Sequence, residues 1–328
     1  MTFTRILPRF CTTLLIGLAS LAAQAQSFPN HIMSLVVPYP AGGPSDFVAR
    51  QIQPELARVL GQQMIVDNVG GVGGALGIQK TLSAPADGHS MVLASPMELI
   101  LAPLSLAAIK HKPEDLRMAA VLVNTSMIMV GRKDLPGNTV DELVEAARKP
   151  GAKQLSYGSV GPGSLYHLMG EAFSQQTGVK MLHVPYKGAA PLITDLMGGQ
   201  IDLVFMPLAG NLPALIKDGK VKAYGLAARQ PHPLFPNVPI LNASKSLKNF
   251  EFDVWAAIMV PKATPDSVIE RINKAAHEGL QNPNIRRAFE ETGNQVAKQA
   301  TPDELKRLYT SEIARYQSIA KSVNVQPQ

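Results

Sequence analysis

Cysteine is almost absent from this chain: Cys11 is the single one among 328 residues. It lies within the first 25 residues, which have the pattern of an export signal. The exported part therefore has no cysteine. This excludes disulfides, a thiolate nucleophile and cysteine-ligated metals there.

The export signal is predicted from three features. Arg5 and Arg9 give a basic start, residues 14–23 are apolar, and Ala23-Gln24-Ala25 fits the small-x-small cleavage rule. We expect a signal peptide at 1–25, cleavage near Ala25/Gln26 and a periplasmic location. The alternative is an uncleaved anchor, but the apolar run is shorter than the roughly 20 residues that span a bilayer.

Charge is also sparse, at 17% of residues, and aromatic residues make up 5%. Loss of two arginines with the signal lowers the net charge from +6 to +4, because 31 − 2 = 29 basic residues then face 25 acidic ones. No Lys/Arg run is interleaved with aromatic residues, so a nucleic-acid partner is not expected. A weakly basic surface suits an anionic ligand, although many neutral-ligand proteins share it.

The remaining 328 − 25 = 303 residues can form one large domain or two of ordinary size. Strands are predicted at 32–38, 64–67, 90–94, 119–130, 155–158, 180–184, 201–206, 221–227 and 253–260. Helices are predicted at 46–60, 140–147, 164–176, 189–197, 211–217, 265–280, 284–292 and 302–320, with another ending at 82. This alternation indicates an α/β protein with largely parallel sheets. Pro54 predicts a kink or short break in the first helix.

Residues 35–46 read Leu-Val-Val-Pro-Tyr-Pro-Ala-Gly-Gly-Pro-Ser-Asp. This is an apolar strand that runs through a Gly/Pro elbow into a helix start. A helix N-terminus presents free backbone N–H groups and attracts anions. The sequence therefore predicts an anion site at this elbow.

Several segments imitate enzyme motifs. Gly71-Val72-Gly73 with Gly77 misses the dinucleotide fingerprint by one residue, which favours a flexible turn. Ser159 resembles a nucleophile elbow, but the first glycine is missing and no His/Asp pair is evident in the sequence. No catalytic set can be assembled, so we expect neither an enzyme nor a cofactor.

Three further positions carry open interpretations. His167 and Glu171, four apart on one helix, indicate a solvated or capping pair rather than a metal site, and we expect no metal. Lys187 either holds an anion or is an ordinary loop lysine. Trp255, the only tryptophan, is either core or the wall of a ligand site.

With these segments in place, the chain resembles the Bug family, the TctC-like periplasmic solute-binding receptors of tripartite tricarboxylate transporters. The resemblance covers essentially the whole exported chain. Its most specific blocks are Val-Pro-Tyr-Pro-Ala-Gly-Gly-Pro-Ser-Asp at 37–46 and His-Val-Pro-Tyr-Lys-Gly at 183–188. Further matches lie at 67–77, 84–88, 155–159, 195–202 and 260–265.

The resemblance implies a two-lobed periplasmic-binding-protein fold, or Venus flytrap, with α/β lobes. Lobe 1 would comprise 26–124 and 255–328, and lobe 2 would comprise 125–254. The implied site binds a carboxylate through backbone amides and helix dipoles rather than an arginine. Its candidate residues are Tyr39, Ala41, Gly42, Gly43, Ser45, Asp46, Ser95, Ser159, Gly161, Ser164, Lys187, Met206 and Trp255.

This chain departs from the family pattern at Met206, where many relatives have an acidic residue that could pair with a ligand ammonium. We therefore expect a dicarboxylate, tricarboxylate or aromatic carboxylate. The implied partners are the membrane permease subunits of a tripartite tricarboxylate transporter, and we expect a monomer. The alternatives are a ligand-sensing adaptor for an envelope signalling protein and, less favoured, an envelope hydrolase.

Overall fold

The structure is a computed structural model that describes residues 28–322, as strands and helices in alternation. The strands are β1 Met33–Val37, β2 Met64–Asn68, β3 Ser90–Ala94, β4 Leu116–Arg132, β5 Ser156–Ser159, β6 Leu182–Pro185, β7 Leu203–Pro207, β8 Val221–Leu226, β9 Asp253–Pro261 and β10 Asn294–Val296. The helices are α1 Pro44–Leu60, α2 Ala75–Leu82, α3 Val140–Ala147, α4 Leu165–Thr177, α5 Ala189–Met197, α6 Leu212–Lys217, α7 Asp266–Leu280, α8 Pro283–Glu291 and α9 Pro302–Ser322. Each predicted strand and helix is present, to within a few residues at its ends. The predicted signal peptide lies outside the described residues.

The strands form two connected sheets. In the first sheet the order is β2-β1-β3-β9-β4, with β10 on the far side of β4. In the second sheet the order is β6-β5-β7-β4, with β8 also paired to β4. The long strand β4 belongs to both sheets, because its pairing changes from β9 up to Ser126 to β7 from Met127 onward.

Both sheets are mixed rather than largely parallel. Strands β1, β2 and β3 run parallel, as do β5, β6 and β7. All pairings of β4 are antiparallel, and so is the β3–β9 pairing. The reason is that β4 and β9 carry the chain between the two sheets in opposite directions, which a simple succession of βαβ units does not require.

Local signals explain the first helix. Gly43 is its extended N-cap, Pro44 occupies the first turn and Gly61, at φ +71°, ends it with an N–H bond to the Ala57 carbonyl. The helix passes through Pro54 without the predicted break. Its apolar stripe, which includes Ile52 and Leu56, is fully buried.

Buried apolar residues form two large clusters. One includes Leu35, Ile52 and Ile272 and lies on one side of the first sheet. The other begins at Val36 and continues through Met127 into the second sheet. Neighbouring residues of β1 thus enter different clusters, which is the period-2 alternation of a strand covered on both faces.

Two segments were not predicted. After β3 the chain forms a π-helical turn, Met97–Leu101, that continues into a single α-helical turn, Ala102–Ser105. Strand β10 is only three residues long. Among residues 28–322, no helix is long and apolar enough to cross a membrane.

Candidate functional site

The predicted site segments meet at the carboxyl edges of the parallel strands, where α/β sheets bind ligands. The elbow that follows β1 lies beside Ser95, which follows β3, because these strands are parallel neighbours. In the second sheet, Ser159 ends β5 and Met206 is near the end of β7, its parallel neighbour. Lys187 follows β6, on the other side of β5, and its side chain is exposed.

Tyr39 is held at both ends. Its hydroxyl donates to Oε2 of Glu98 at 2.8 Å. Its backbone carbonyl accepts a hydrogen bond from the Asn68 side-chain amide at 3.1 Å. These two contacts fix the elbow to β2 and to the turn after β3.

Glu98 is the main residue that sequence reasoning missed. Its side chain is 1% exposed. Oε1 accepts a hydrogen bond from the Ser95 N–H, and Oε2 accepts one from the Ser95 hydroxyl at 2.8 Å. Burial raises the pKa of Glu98 to about 7, although the hydrogen bonds from Ser95 and Tyr39 oppose the rise. A lone glutamate in the apolar run Met97–Leu101 is the signal that could have identified it.

Asp46 organises the start of α1. Its Oδ2 accepts hydrogen bonds from the Gly42 N–H and the Arg50 guanidinium, both at 2.9 Å. Burial alone would raise the pKa of Asp46, but the hydrogen bonds from Arg50 and Gly42, with the nearby Asn68 side chain, hold it below its usual value. Its Oδ1 is buried and has no hydrogen-bond partner among the described residues.

The Gly42 N–H is therefore already engaged. It does not belong with the free elbow amides that the sequence predicts for an anion. The remaining elbow positions are open: Ala41 is exposed, and Gly43 and Ser45 are partly exposed. The first turn of α1 therefore remains available to a ligand.

The opposite side of the site is a glycine-rich loop between β5 and α4. The Ser159 hydroxyl accepts a hydrogen bond from the Gly161 N–H at 3.0 Å and lies 2.6 Å from Nε2 of His183. Ser164 caps α4: its hydroxyl accepts from the His167 N–H at 3.4 Å and donates to the Gly161 carbonyl at 2.6 Å. The hydroxyls of the two predicted serines thus form hydrogen bonds inside the loop, both with Gly161.

Neutral imidazoles support this loop. Nδ1 of His167 accepts a hydrogen bond from the Gly163 N–H at 3.0 Å, which assigns the proton to Nε2. The His167 and His183 rings stack with their centroids 4.2 Å apart. Burial, followed by the neighbouring His167, lowers the pKa of His183 to about 4, and burial also lowers that of His167.

The structure pairs Ser159 with His183, a histidine that was not evident as a partner in the sequence. The serine side chain is nevertheless fully buried, and its hydroxyl already holds Gly161. Among residues 28–322, no carboxylate accepts a hydrogen bond from the other ring nitrogen of His183. The pair therefore lacks the third group of a hydrolytic triad.

The predicted pair of His167 and Glu171 is a weak one, with 3.9 Å between Nε2 and Oε1. Glu171 instead accepts a hydrogen bond from the Tyr157 hydroxyl at 2.6 Å. His167 thus holds the loop through Gly163, and Glu171 holds Tyr157 of β5.

The two sides of the site approach each other. A Cβ added at Gly163 would lie 1.9 Å from Cβ of Ser105, so the loop backbone lies directly against the turn after β3. Burial and the Glu98 carboxylate raise the pKa of Tyr39. Tyr166, in the first turn of α4, lies close enough to Tyr39 to raise it further. The loop and the elbow are thus brought together across the site.

Two predicted site residues, Trp255 and Met206, are buried. Trp255 is buried, its indole N–H donates to Glu312 of α9 at 3.0 Å, and its ring packs edge-on against Tyr309. These contacts place Trp255 in the core at the junction of the sheets. Met206 is 4% exposed and lines the end of β7 without any charge.

One group of described residues has the donor types of a metal site: His31, Asp87 and His89, whose ligand atoms lie within 4.8 Å of one another. Nε2 of His89 accepts a hydrogen bond from the Asn30 N–H at 3.1 Å, and the ring stacks on His31. In this arrangement the cluster fastens the segment before β1 to the turn before β3.

The fold and the paired carboxyl edges define a periplasmic-binding-protein type of α/β protein. The family model "Tripartite tricarboxylate transporter family receptor" matches residues 48–325, and the chain belongs to this family. Its members are solute-binding receptors and not enzymes.

Solved structures support the assignment. The chain is 31% identical to the periplasmic binding protein BugD, with a TM-score of 0.80 over 92% of this chain and 100% of that one. It is 27% identical to MatC from Rhodopseudomonas palustris with bound malate, with a TM-score of 0.79 over 89% and 99% of the two chains. It is also 27% identical to R. palustris Rpa4515 with adipate, with a TM-score of 0.83 over 92% and 100%.

Proposed function

We propose that this protein is a periplasmic receptor that captures a small organic carboxylate between two closing lobes and delivers it to the permease subunits of its transporter. The observation that carries the proposal is the convergence of two helix starts. The Gly43–Pro44 start of α1 and the Ser164 cap of α4 stand at the carboxyl edges of different sheets. Each helix N-terminus contributes roughly half a positive charge, which favours an anion.

The proposed lobes comprise 26–124 with 255–328 and, between them, 125–254. Support comes from β4, whose partners change between Ser126 and Met127, and from Phe252, which bonds to Met127 and Ala227 just before β9. Two adjacent crossing points form a hinge that can bend with little repacking. A ligand that touches both lobes would favour the closed form.

The proposed site comprises the elbow Tyr39–Asp46, Ser95 and the loop Ser159–Ser164, with Met206 beside it. Lys187 stays a candidate contact from its exposed loop. We leave Trp255 out, because its indole N–H is engaged by Glu312.

The ligand class follows from the relatives and from Met206. MatC was solved with malate and Rpa4515 with adipate, both dicarboxylates. Met206 offers no partner for an ammonium group, and an unpaired buried ammonium costs several kcal/mol. We therefore infer that a dicarboxylate, tricarboxylate or aromatic acid binds more tightly than an amino acid of the same skeleton.

The decisive experiment is mass spectrometry of the small molecules released when the freshly purified protein is denatured. Calorimetry then compares malate, adipate and benzoate with aspartate and glutamate. A released carboxylate that binds near micromolar, about 8 kcal/mol at the 1 M standard state, supports the proposal. Tighter binding of the two amino acids would contradict the ligand class.

Location is tested separately. N-terminal sequencing of the periplasmic fraction is expected to give a soluble chain that starts within a residue or two of Gln26. Recovery of the chain only in membranes, with Arg5 retained, would be inconsistent with a periplasmic receptor.

A further inference from the structure

Glu98 is a buried carboxylate whose direct hydrogen-bond partners are residues of the proposed site. Ser95 contributes its N–H and its hydroxyl, and Tyr39 contributes its hydroxyl at 2.8 Å. A ligand that reaches Tyr39 and Ser95 is therefore one side chain away from Glu98. The carboxylate is 1% exposed, so water screens such a neighbour poorly.

The groups that face Glu98 supply no positive charge. Tyr39 lies on the elbow side. Tyr309 of α9 has a pKa raised by burial first and then by the acidic residues Glu114, Glu98 and Asp115. Nε2 of His111 bonds to the backbone carbonyl of Glu98 at 3.0 Å, not to its carboxylate. Within residues 28–322, no Lys, Arg or His nitrogen forms an ion pair with the Glu98 carboxylate. Burial without a cation raises its pKa to about 7.

We propose that this receptor binds its carboxylate ligand together with one proton, and that Glu98 holds that proton in the ligand-bound form. The inference rests on the proposed function, because it requires an anion at the elbow. Two carboxylates one side chain apart, with no cation paired to Glu98, disfavour each other's ionised form. The ligand is an anion of fixed charge near neutral pH, so the proton from solvent is taken up by Glu98.

The proton also has a use in recognition. When Oε2 is protonated it becomes a donor, and the Ser95 hydroxyl at 2.8 Å can accept its hydrogen. Ser95 is then free to direct its own hydrogen away from Glu98, toward a ligand oxygen. The buried Glu98 thereby adds a hydroxyl donor to the site without touching the ligand. It is a positioning residue for Ser95.

The first test needs no ligand. The side-chain carboxyl carbons of ¹³C-glutamate-labelled protein are titrated by NMR, and the Glu98 resonance is assigned as the one missing from Glu98→Gln. A titration midpoint near 7 is expected. A midpoint at or below 5 overturns the proposal whether or not any ligand has been found.

The second test is calorimetry with malate and adipate at pH 6.5, 7.5 and 8.5, in two buffers of different ionisation enthalpy. The wild type is expected to take up close to one proton per ligand at pH 8.5. Its affinity is expected to fall up to tenfold from pH 7.5 to 8.5. Glu98→Gln, which keeps the shape but cannot ionise, is expected to lose both the proton uptake and this pH dependence.

The matched control is Glu114→Gln, the same change at an exposed glutamate of a nearby turn, and it is expected to behave as wild type. If Glu98→Gln weakens binding equally at every pH and proton uptake persists, Glu98 has only a structural role and the proposal is wrong. If malate and adipate bind without proton uptake, this inference fails while carboxylate capture stands. If no carboxylate binds, the proposed function itself fails.

Discussion

Both sides of the proposed cleft bury ionisable groups, but burial acts on them in opposite senses. On the elbow side it raises the pKa of Glu98 to about 7, and on the loop side it lowers the pKa of His183 to about 4. A carboxyl is pushed toward its protonated form and an imidazole is kept unprotonated, so both sides tend to neutrality. The comparison teaches that burial removes charge from both residues, which lets backbone amides and helix starts attract an anion, while the charge of Asp46 at the elbow is paired with Arg50.

The sides also differ in how their backbones are held. The elbow depends on an ionic network of Asp46, Arg50 and Asn68. The loop depends on a neutral hydrogen bond between Ser159 and His183 and on one that the Gly163 N–H donates to His167. We therefore expect the elbow to be destabilised when a charge partner is removed. We expect the loop to be destabilised when acid protonates its histidines.

The largest expected effect comes from blocking the elbow with Gly43→Val. Gly43 is extended at φ −84°, and an added Cβ would meet only the Pro40 carbonyl oxygen, at 3.6 Å, so the fold should survive. The valine methyls would occupy the space in front of the α1 start. We expect at least a 100-fold loss of carboxylate affinity by calorimetry, about 2.7 kcal/mol.

Gly43→Ala should give an intermediate loss, and circular dichroism should show an unchanged fold for both variants. Ala190→Val, on an exposed position of α5, serves as a control for added volume. Wild-type affinity in a folded Gly43→Val protein would show that the elbow is not the anion site.

The second prediction concerns Glu98 and stability. Its carboxyl has a raised pKa in the folded protein, so between about 4.5 and 7 the folded state binds more protons than the unfolded state. Stability is therefore lost as pH rises through this window, by about 2–3 kcal/mol in all. Urea unfolding at pH 5 and pH 8 should show this loss in the wild type and a much smaller one in Glu98→Gln. Equal losses in both proteins would mean that Glu98 titrates normally.

The third prediction tests the contact between the two sides. Gly163→Ala places a Cβ 1.9 Å from Cβ of Ser105 and puts alanine at φ +74°. The clash should hold the sides apart, weaken carboxylate binding by about 10- to 100-fold and enlarge the radius of gyration of the liganded protein in solution scattering. Adding Ser105→Gly should restore part of the affinity, because it removes the clash but not the backbone strain. No recovery in the double variant would mean that strain alone explains the loss.

Sequence reasoning predicted the strands and helices correctly. It also placed the two proposed site segments at the ends of strands, because local sequence patterns indicate both features. Apolar periodicity marks strands and helices, and the chain order of strand, turn and helix marks the carboxyl edges. It did not predict roles for Glu98, Arg50 and His183. Glu98 meets Tyr39 from 59 residues away, and His183 meets Ser159 from 24 residues away. Such contacts depend on which strands become neighbours, and no local pattern specifies that.

Trp255 illustrates the same limit. Its place near the crossing between sheets could be predicted, but its hydrogen bond to Glu312 on α9, 57 residues further along the chain, could not. The mixed sheets have a related origin, since the direction of β4 and β9 follows from the chain's passage between sheets.

The fourth prediction concerns acid and the loop side. The pKa of His183 is lowered in the folded protein. Between about pH 6.5 and pH 4, the unfolded state therefore binds a proton at His183 and the folded state does not. Stability contributed by this site is present above pH 6.5 and is lost as the pH falls toward 4. Because the ring is only partly buried, we expect a loss on the order of 1–2 kcal/mol.

His183→Gln should flatten this acid limb in urea unfolding between pH 7 and pH 4. His277→Gln serves as the control, because His277 lies on α7, which packs against the first sheet. An unchanged acid limb in His183→Gln would assign it to other groups.

The smallest expected effect comes from Arg50→Met, which removes the cation of the elbow network and keeps the aliphatic stem. Arg50 has a side chain that is 53% exposed, whereas that of Asp46 is 5% exposed. Exposed partners of ion pairs contribute little, so we expect a loss of at most about 1 kcal/mol of stability. The buried Asp46 carboxylate would keep its bond from the Gly42 N–H, and its pKa should rise toward the usual range. Arg58→Met, which breaks exposed pairs with Glu55 and Glu278 at the other end of the same helix, is the matched control. Urea unfolding at pH 7 should show Arg50→Met slightly below Arg58→Met, with the gap closing below pH 4 as Asp46 is protonated. If the two variants coincide at both pH values, the elbow is held by its hydrogen bonds alone, and the ionic contrast between the two sides of the cleft does not hold.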